Sequence, residues 1–361
     1  MELATKPDAD KALERWEAWW HCEVIDRPVV TMSVRPERSS ASPPPGAGSK
    51  KHESLRQRWF DMDNAIDCFE AHLDATVFLA ESFPIWYPNL GPEVTATAFG
   101  CDLEFGEATS WSHPIVQSCR EVLPLQPDLA SEYWSCIRAA TEMSLERGKG
   151  RWLTGITDLH TNIDLLAALR DPQALCLEYF DDLEGVKRAA EHVKEAFGLL
   201  FDDLWKPIEA AGQPCTSWHR ALHQGRQYVL SCDFICLISP EMFAETVLPS
   251  LLWEADFVER SLYHLDGPEA LRHLGAICSV ERVHGIQWIY GAARDWIDVY
   301  RRTQAAGKCM QINCQDLHDA MAVAEHLRPE GVWFCITGKS YPREEAEDFL
   351  RWTQRWAAGK Q

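Results

Sequence analysis

The chain has 361 residues, 46% hydrophobic and 25% charged, proportions that support a sizeable buried core. Its 35 basic residues face 55 acidic ones, and the resulting charge of −20 argues against a nucleic-acid partner or an anionic membrane surface. No stretch approaches 18 apolar residues and the first residues carry no apolar signal core, so the sequence predicts a cytoplasmic protein.

An N-terminal helical extension leads to a first strand at residues 29–34. Residues 35–51, RPERSSASPPPGAGSKK, are rich in Pro, Ser and Gly and lack apolar periodicity. They predict a flexible loop, either a lid over a site or a passive insertion. Further short runs, β-branched or aromatic, predict strands at 75–80, 151–156, 214–218, 261–265, 285–290, 308–314 and 331–337. A β-like run at 228–232 stands outside this count. Apolar residues from Leu183 to Leu204 recur at helical spacing and predict a helix over 182–211, closed by Gly212. Another helix ends at Gly307, and the last opens at Pro342 with Glu344, Glu345 and Glu347 in its early turns.

Eight strand candidates, most followed by a helix, imply a parallel sheet. Their number predicts an α/β protein of the (β/α)8 TIM-barrel class, one domain spanning 1–361. An open doubly wound sheet is the competing arrangement, but no GxGxxG follows the first strand. The thirteen cysteines show no CxxC framework and read as buried thiols, not disulfides.

Barrel chemistry sits at the C-terminal ends of the strands, and polar residues gather there in this sequence. Asp158 and His160 follow the third candidate, and Trp218 ends the fourth. Asp233 follows the run at 228–232, while His264 and Asp266 close the fifth strand. Gln287 and Trp288 lie on the sixth, Asn313 on the seventh and Cys335 on the eighth. His264, Asp233 and Asp158 are candidates for catalysis, with Asp266. His160, Trp218, Gln287, Trp288 and Asn313 are candidates for binding a small-molecule substrate. The i, i+2 spacing of His264 and Asp266 puts both on one side of an extended segment. With a thiolate from Cys335 they supply three positions of a catalytic zinc and leave the fourth for substrate. Alternatively the two hydrogen-bond each other or a ligand, and Cys335 is a buried strand residue.

Three segments carry a resemblance. LISPEMF at 237–243 with VLP at 247–249, YHLDGPEALRHL at 263–274, and GIQW at 285–288 are similar to elements of the uroporphyrinogen decarboxylase-like superfamily. The similarity covers most of the chain beyond about Asp158 and only weakly the first half. It implies the barrel and two activities. The decarboxylases bind tetrapyrrole carboxylates through an arginine-rich loop after the first strand, whereas this chain reads MSVRPER at 32–38 and lacks that motif. The other activity moves a methyl group between a corrinoid (methylcobamide), often on a partner protein, and a thiol or pterin acceptor. Its thiol-methylating members hold zinc on a His-x-Cys pair and a later Cys. His264 matches that His and Cys335 falls at the last Cys, but Asp266 stands where the first Cys would be, a harder ligand. For a pterin acceptor, Asp158 or Asp233 with Asn313 would bind the ring, and Trp218 and Trp288 would wall it. The competing readings are a cofactor-free decarboxylase or lyase, with Asp158, Asp233 and His264 shuttling protons, and a ligand-binding barrel without turnover.

Overall fold

The computed structural model describes residues 2–36, 50–73, 75–289 and 296–360. Most of the loop predicted at 35–51 and Tyr290 of the sixth strand candidate lie outside them. In chain order the strands are β1 (Val29–Val34), β2 (Ile85–Trp86), β3 (Leu103–Phe105), β4 (Ser110–Ser112), β5 (Leu153–Thr154), β6 (Gln227–Ser231), β7 (Arg260–Asp266), β8 (Gly285–Ile289), β9 (Cys309–Cys314) and β10 (Val332–Tyr341).

Six of them form one parallel sheet in the order β1-β10-β9-β8-β7-β6, the centre of a mixed α/β fold. Segments such as QYVLS in β6 are buried throughout, as strands covered on both faces must be. Parallel neighbours need long crossovers, and helices supply them: Pro240–Thr246 and Leu248–Phe257 between β6 and β7, Trp296–Ala305 between β8 and β9, Leu317–Ala324 between β9 and β10. β2 and β5 form a separate parallel pair, and β3 and β4 an antiparallel hairpin that no sequence signal announced.

Two predicted strands are corrected. Residues 75–80 make only one bridge, Val34 to Val77, and the regular pairing falls at β2 instead. The reason is that side chains occupy the ladder beside β1. The Glu81 carboxylate accepts from Val30 N at 3.0 Å, and the Ser82 hydroxyl accepts from Met32 N and donates to Met32 O at 2.9 and 3.0 Å. Residues 214–218 likewise make only isolated bridges, Ile156 to Ser217 and Cys215 to His223. The sheet position next to β7 belongs to β6, the run left outside the sequence count.

The helix predicted over 182–211 is two helices, Leu183–Val193 and Ala196–Ala210. Between them the backbone tightens to a Phe197 N to Lys194 O bond at 3.4 Å, three residues apart. Asp182 caps the first helix by accepting from Gly185 N at 3.1 Å, and Gly212 ends the second at φ +70°, where a side chain would be strained. The N-terminal helix Ala9–Trp20 packs Trp16 edge-on against Trp333 of β10, with ring centroids 4.6 Å apart. Much of the tryptophan content is core: Trp16, Trp19, Trp134, Trp152, Trp205, Trp288 and Trp333 are all fully buried. All thirteen cysteines are free thiols. Among the described residues no helix is long and apolar enough to cross a membrane.

Candidate active site

Register decides which side chains share a face. Ser231, His264, Gln287, Gln311 and Trp333 pair in one row across β6 to β10. Paired residues point the same way, and strands alternate with a period of two. The next row on that face, two residues further toward the strand ends, holds Asp266, Asn313, Cys335 and Thr31. Gln311 Nε2 donating to Asn313 Oδ1 at 3.4 Å shows the two rows in contact. The same alternation sends Trp288 to the opposite face, where it is fully buried. It belongs to the core and does not join Gln287 at the site.

His264 is half-buried, and its Nδ1 contacts Gln287 Oε1 across the strands. With that oxygen accepting, Nδ1 carries the proton and Nε2 keeps its lone pair. Trp218 stands edge-on to the imidazole at 5.5 Å between centroids. Donor atoms of His264, Asp266 and Asp233 lie within 4.8 Å of one another, and so do those of His160, Asp164 and Asp233. Cys335 is in neither group, although it shares the face with Asp266. It lies instead on β10 beside Thr31 of β1.

The loop after β5 delivers Asp158 and His160. The buried Tyr228 hydroxyl donates to Thr157 O and accepts from Leu159 N, both at 2.7 Å, bracketing Asp158. His160 Nε2 then lies 3.4 Å from Asp158 Oδ2, and Nδ1 3.6 Å from Asp164 Oδ2. Burial works against charge on this ring, but Asp158, Asp164 and Asp233 outweigh it and hold its pKa up at about 10. At neutral pH His160 is an imidazolium. It occupies one wall of a cavity of about 320 Å³ that Asp164, Asp233, Phe234, Trp111 and Leu237 also line.

Asp164 escaped sequence reasoning because it looks like an ordinary residue in the first turn of helix Asn162–Arg170. Asn162, at φ +53°, starts that helix and donates to Ser231 O at 3.0 Å, which ties it to the end of β6. The Asp164 carboxylate then accepts from Asp233 N and Phe234 N at 2.8 and 2.9 Å, setting the turn that presents Asp233. Burial and repulsion from Asp233 raise the Asp164 carboxyl to about 6.

Behind this layer Glu254 is buried, accepting from Thr161 Oγ1 at 2.6 Å with Asn162 Nδ2 at 3.4 Å. Burial pushes its carboxyl from 4.5 up to about 8. Between those values the folded chain holds a proton that the unfolded chain has lost, so stability falls as pH rises from about 4.5 to 8. Glu254→Gln, neutral throughout, removes that slope. Wild type is therefore expected to lose more melting temperature than the variant between pH 5 and pH 9. Parallel losses in the two proteins would contradict the assignment.

No protein-family model and no curated protein matches the chain. Among solved structures, a methyltransferase from Methanosarcina mazei is similar over 95% of this chain and 98% of its own, with a TM-score of 0.60 at 13% sequence identity. At that identity the likeness speaks for the fold.

Proposed function

We propose that the chain is a methyltransferase on a closed (β/α)8 barrel of the uroporphyrinogen decarboxylase-like kind. It would move a methyl group between a corrinoid, carried by a partner protein, and a thiol or pterin acceptor. The observation that carries the reading is the convergence of His264, Asp266 and Asp233 at the C-terminal ends of β6 and β7. Closure of the barrel is supported by the links beyond the main sheet. Glu81 and Ser82 bond β1, β2 pairs with β5, Ile156 bridges Ser217, and Cys215 Sγ donates to Gln227 O at 3.2 Å. The likeness to a methyltransferase over nearly the whole chain favours the same architecture.

One imidazole and two carboxylates are a donor set that suits a divalent metal such as zinc, harder than a set containing thiolates. His264, through the nitrogen that Gln287 leaves free, would hold it with Asp266 and Asp233. When bound it supplies Lewis-acid stabilisation of the acceptor as an anion. The chain's own groups orient the acceptor. Trp218 stands edge-on to the His264 ring, Asn313 offers an amide on the same face, and Asp158 is held by His160.

The test is the visible spectrum of methylcobalamin mixed with the zinc-loaded protein and a thiol, or with tetrahydropterin in a second arm. Loss of the methylcobalamin bands well above the rate without protein is expected in one arm. No acceleration in either would sink the proposal and leave the lyase reading to be tried.

A further inference from the structure

Two thiols meet where the N-terminal helix reaches the start of β9. Cys22 follows that helix and Cys309 opens β9, and their Sγ atoms lie 3.3 Å apart although the residues are 287 positions apart in sequence. Among the described residues no other two cysteine sulfurs come into contact. One carbonyl holds both residues: Trp19 O accepts from Cys22 N at 2.9 Å and from Cys309 Sγ at 2.7 Å. Cys22 sits at φ +53°, a conformation that a residue with a side chain keeps only where its surroundings fix it. Gly331, just before β10, has φ +70°, and a Cβ there would come 3.0 Å from Cys22 Sγ and 3.2 Å from Cys309 Cα. Glycine leaves the pair its room.

The two sulfurs differ in their surroundings. Cys309 is fully buried, and burial pushes its thiol well above the ordinary range, so it keeps its proton. Cys22 is half-buried. The hydrogen bond to Cys309 lowers its pKa against the effect of burial, and the charges of Lys308 and Arg328 add to the lowering. Lys308 is held in place, its Nζ donating to Val280 O at 2.8 Å. A reachable thiol with a favoured thiolate, beside a protonated thiol in contact, has the two parts of a peroxide reaction: a sulfur that attacks and a sulfur that resolves.

We propose that Cys22 and Cys309 are a redox-active pair that reacts with a hydroperoxide and closes a disulfide, stapling the N-terminal helix to the start of β9. The Cys22 thiolate attacks one peroxide oxygen; an S–O bond forms, the O–O bond breaks, and the second oxygen leaves with a proton as water or an alcohol. The Cys309 sulfur then attacks the Cys22 sulfenic sulfur. The S–S bond forms, the S–O bond breaks, and the departing hydroxide takes the Cys309 proton as water. The two sulfurs lose two electrons and the peroxide gains them. The sulfurs must approach from 3.3 Å to about 2 Å, a shift that side-chain rotation supplies. A dithiol reverses the step by thiol–disulfide exchange. Cys309 lies at the opposite end of the strands from His264 and Asp266, so the inference stands apart from the methyltransferase reading.

Its test needs no turnover. The fully reduced chain is exposed to stepwise additions of hydrogen peroxide, quenched with an alkylating agent and mapped by peptide mass spectrometry. The Cys22 and Cys309 peptides are expected to appear joined before any other cysteine is consumed, and to separate again with dithiothreitol. The joined form is expected to melt about 3 °C or more above the reduced one, because the bond closes a very long loop. Cys309→Ser should stall with Cys22 as a sulfenic acid that dimedone captures. Cys22→Ser should leave Cys309 unlabelled, since it is buried and protonated. If the buried serine of Cys309→Ser prevents folding, wild type and Cys22→Ser decide between them. Other cysteines consumed first, no joined peptides, or Cys309 labelled in Cys22→Ser would each overturn the pair. A joined form that melts no higher would overturn the staple.

Discussion

Glu81→Ala is expected to lower the unfolding free energy by about 3–5 kcal/mol, the cost of breaking a buried ion pair from one side. The Glu81 side chain is fully buried and accepts from Arg27 Nη1 and Nη2 at 2.5 and 2.7 Å, from Arg15 Nη1 at 3.3 Å and from Val30 N at 3.0 Å. Alanine would leave the buried Arg27 guanidinium without its main counter-charge and the Val30 N–H without an acceptor. It would also remove a bond that joins β1 to the segment preceding β2. Glu81→Gln keeps an acceptor and loses the charge, so its loss should fall between alanine and wild type. Urea unfolding with a common slope measures both. A loss within about 1 kcal/mol for alanine, the range of surface pairs, would show that this carboxylate does not hold the edge of β1.

Under the proposed function, His264→Ala is expected to lower methyl transfer about a thousandfold, ~4 kcal/mol of transition-state stabilisation. The size follows from what the ring joins. Its contact with Gln287 fixes the tautomer, the ring belongs to the group with Asp266 and Asp233, and Trp218 stands edge-on to it. Gln287→Leu removes only the tether. It should cost about 10- to 100-fold, as groups that orient a metal ligand do. Gln287 is a positioning residue, so metal supplied in excess should restore part of that variant's rate and none of the His264 variant's. A His264→Ala enzyme within tenfold of wild type would move the chemistry elsewhere.

The strands β1 and β7 to β10 were legible because each contains a short, mostly buried run of β-branched or aromatic residues bounded by turn residues. Residues 75–80 read equally well as a strand. They fail as one because Glu81 and Ser82 fill the ladder with side chains, a substitution that local pattern does not reveal. The run at 214–218 misled through its aromatic content, and β6, noted but uncounted, holds the place beside β7.

At the site, His264 and Asp266 were legible from their i, i+2 spacing, and Asp158, His160 and Asp233 from their positions after strands. Trp288 was not compatible with Gln287 on one face, and strand alternation alone could have excluded it. Asp164 was hidden because its role depends on Asn162 entering the left-handed region and on a turn in a distant segment.

The most direct test of the account is metal content by elemental mass spectrometry on the full chain, loaded with zinc and freed of excess. The proposed site predicts close to one zinc per chain, lost in His264→Ala and in Asp266→Ala and kept in Cys335→Ala, because Cys335 stands outside the group that holds it. No zinc in wild type, or zinc that survives the loss of His264, would contradict it.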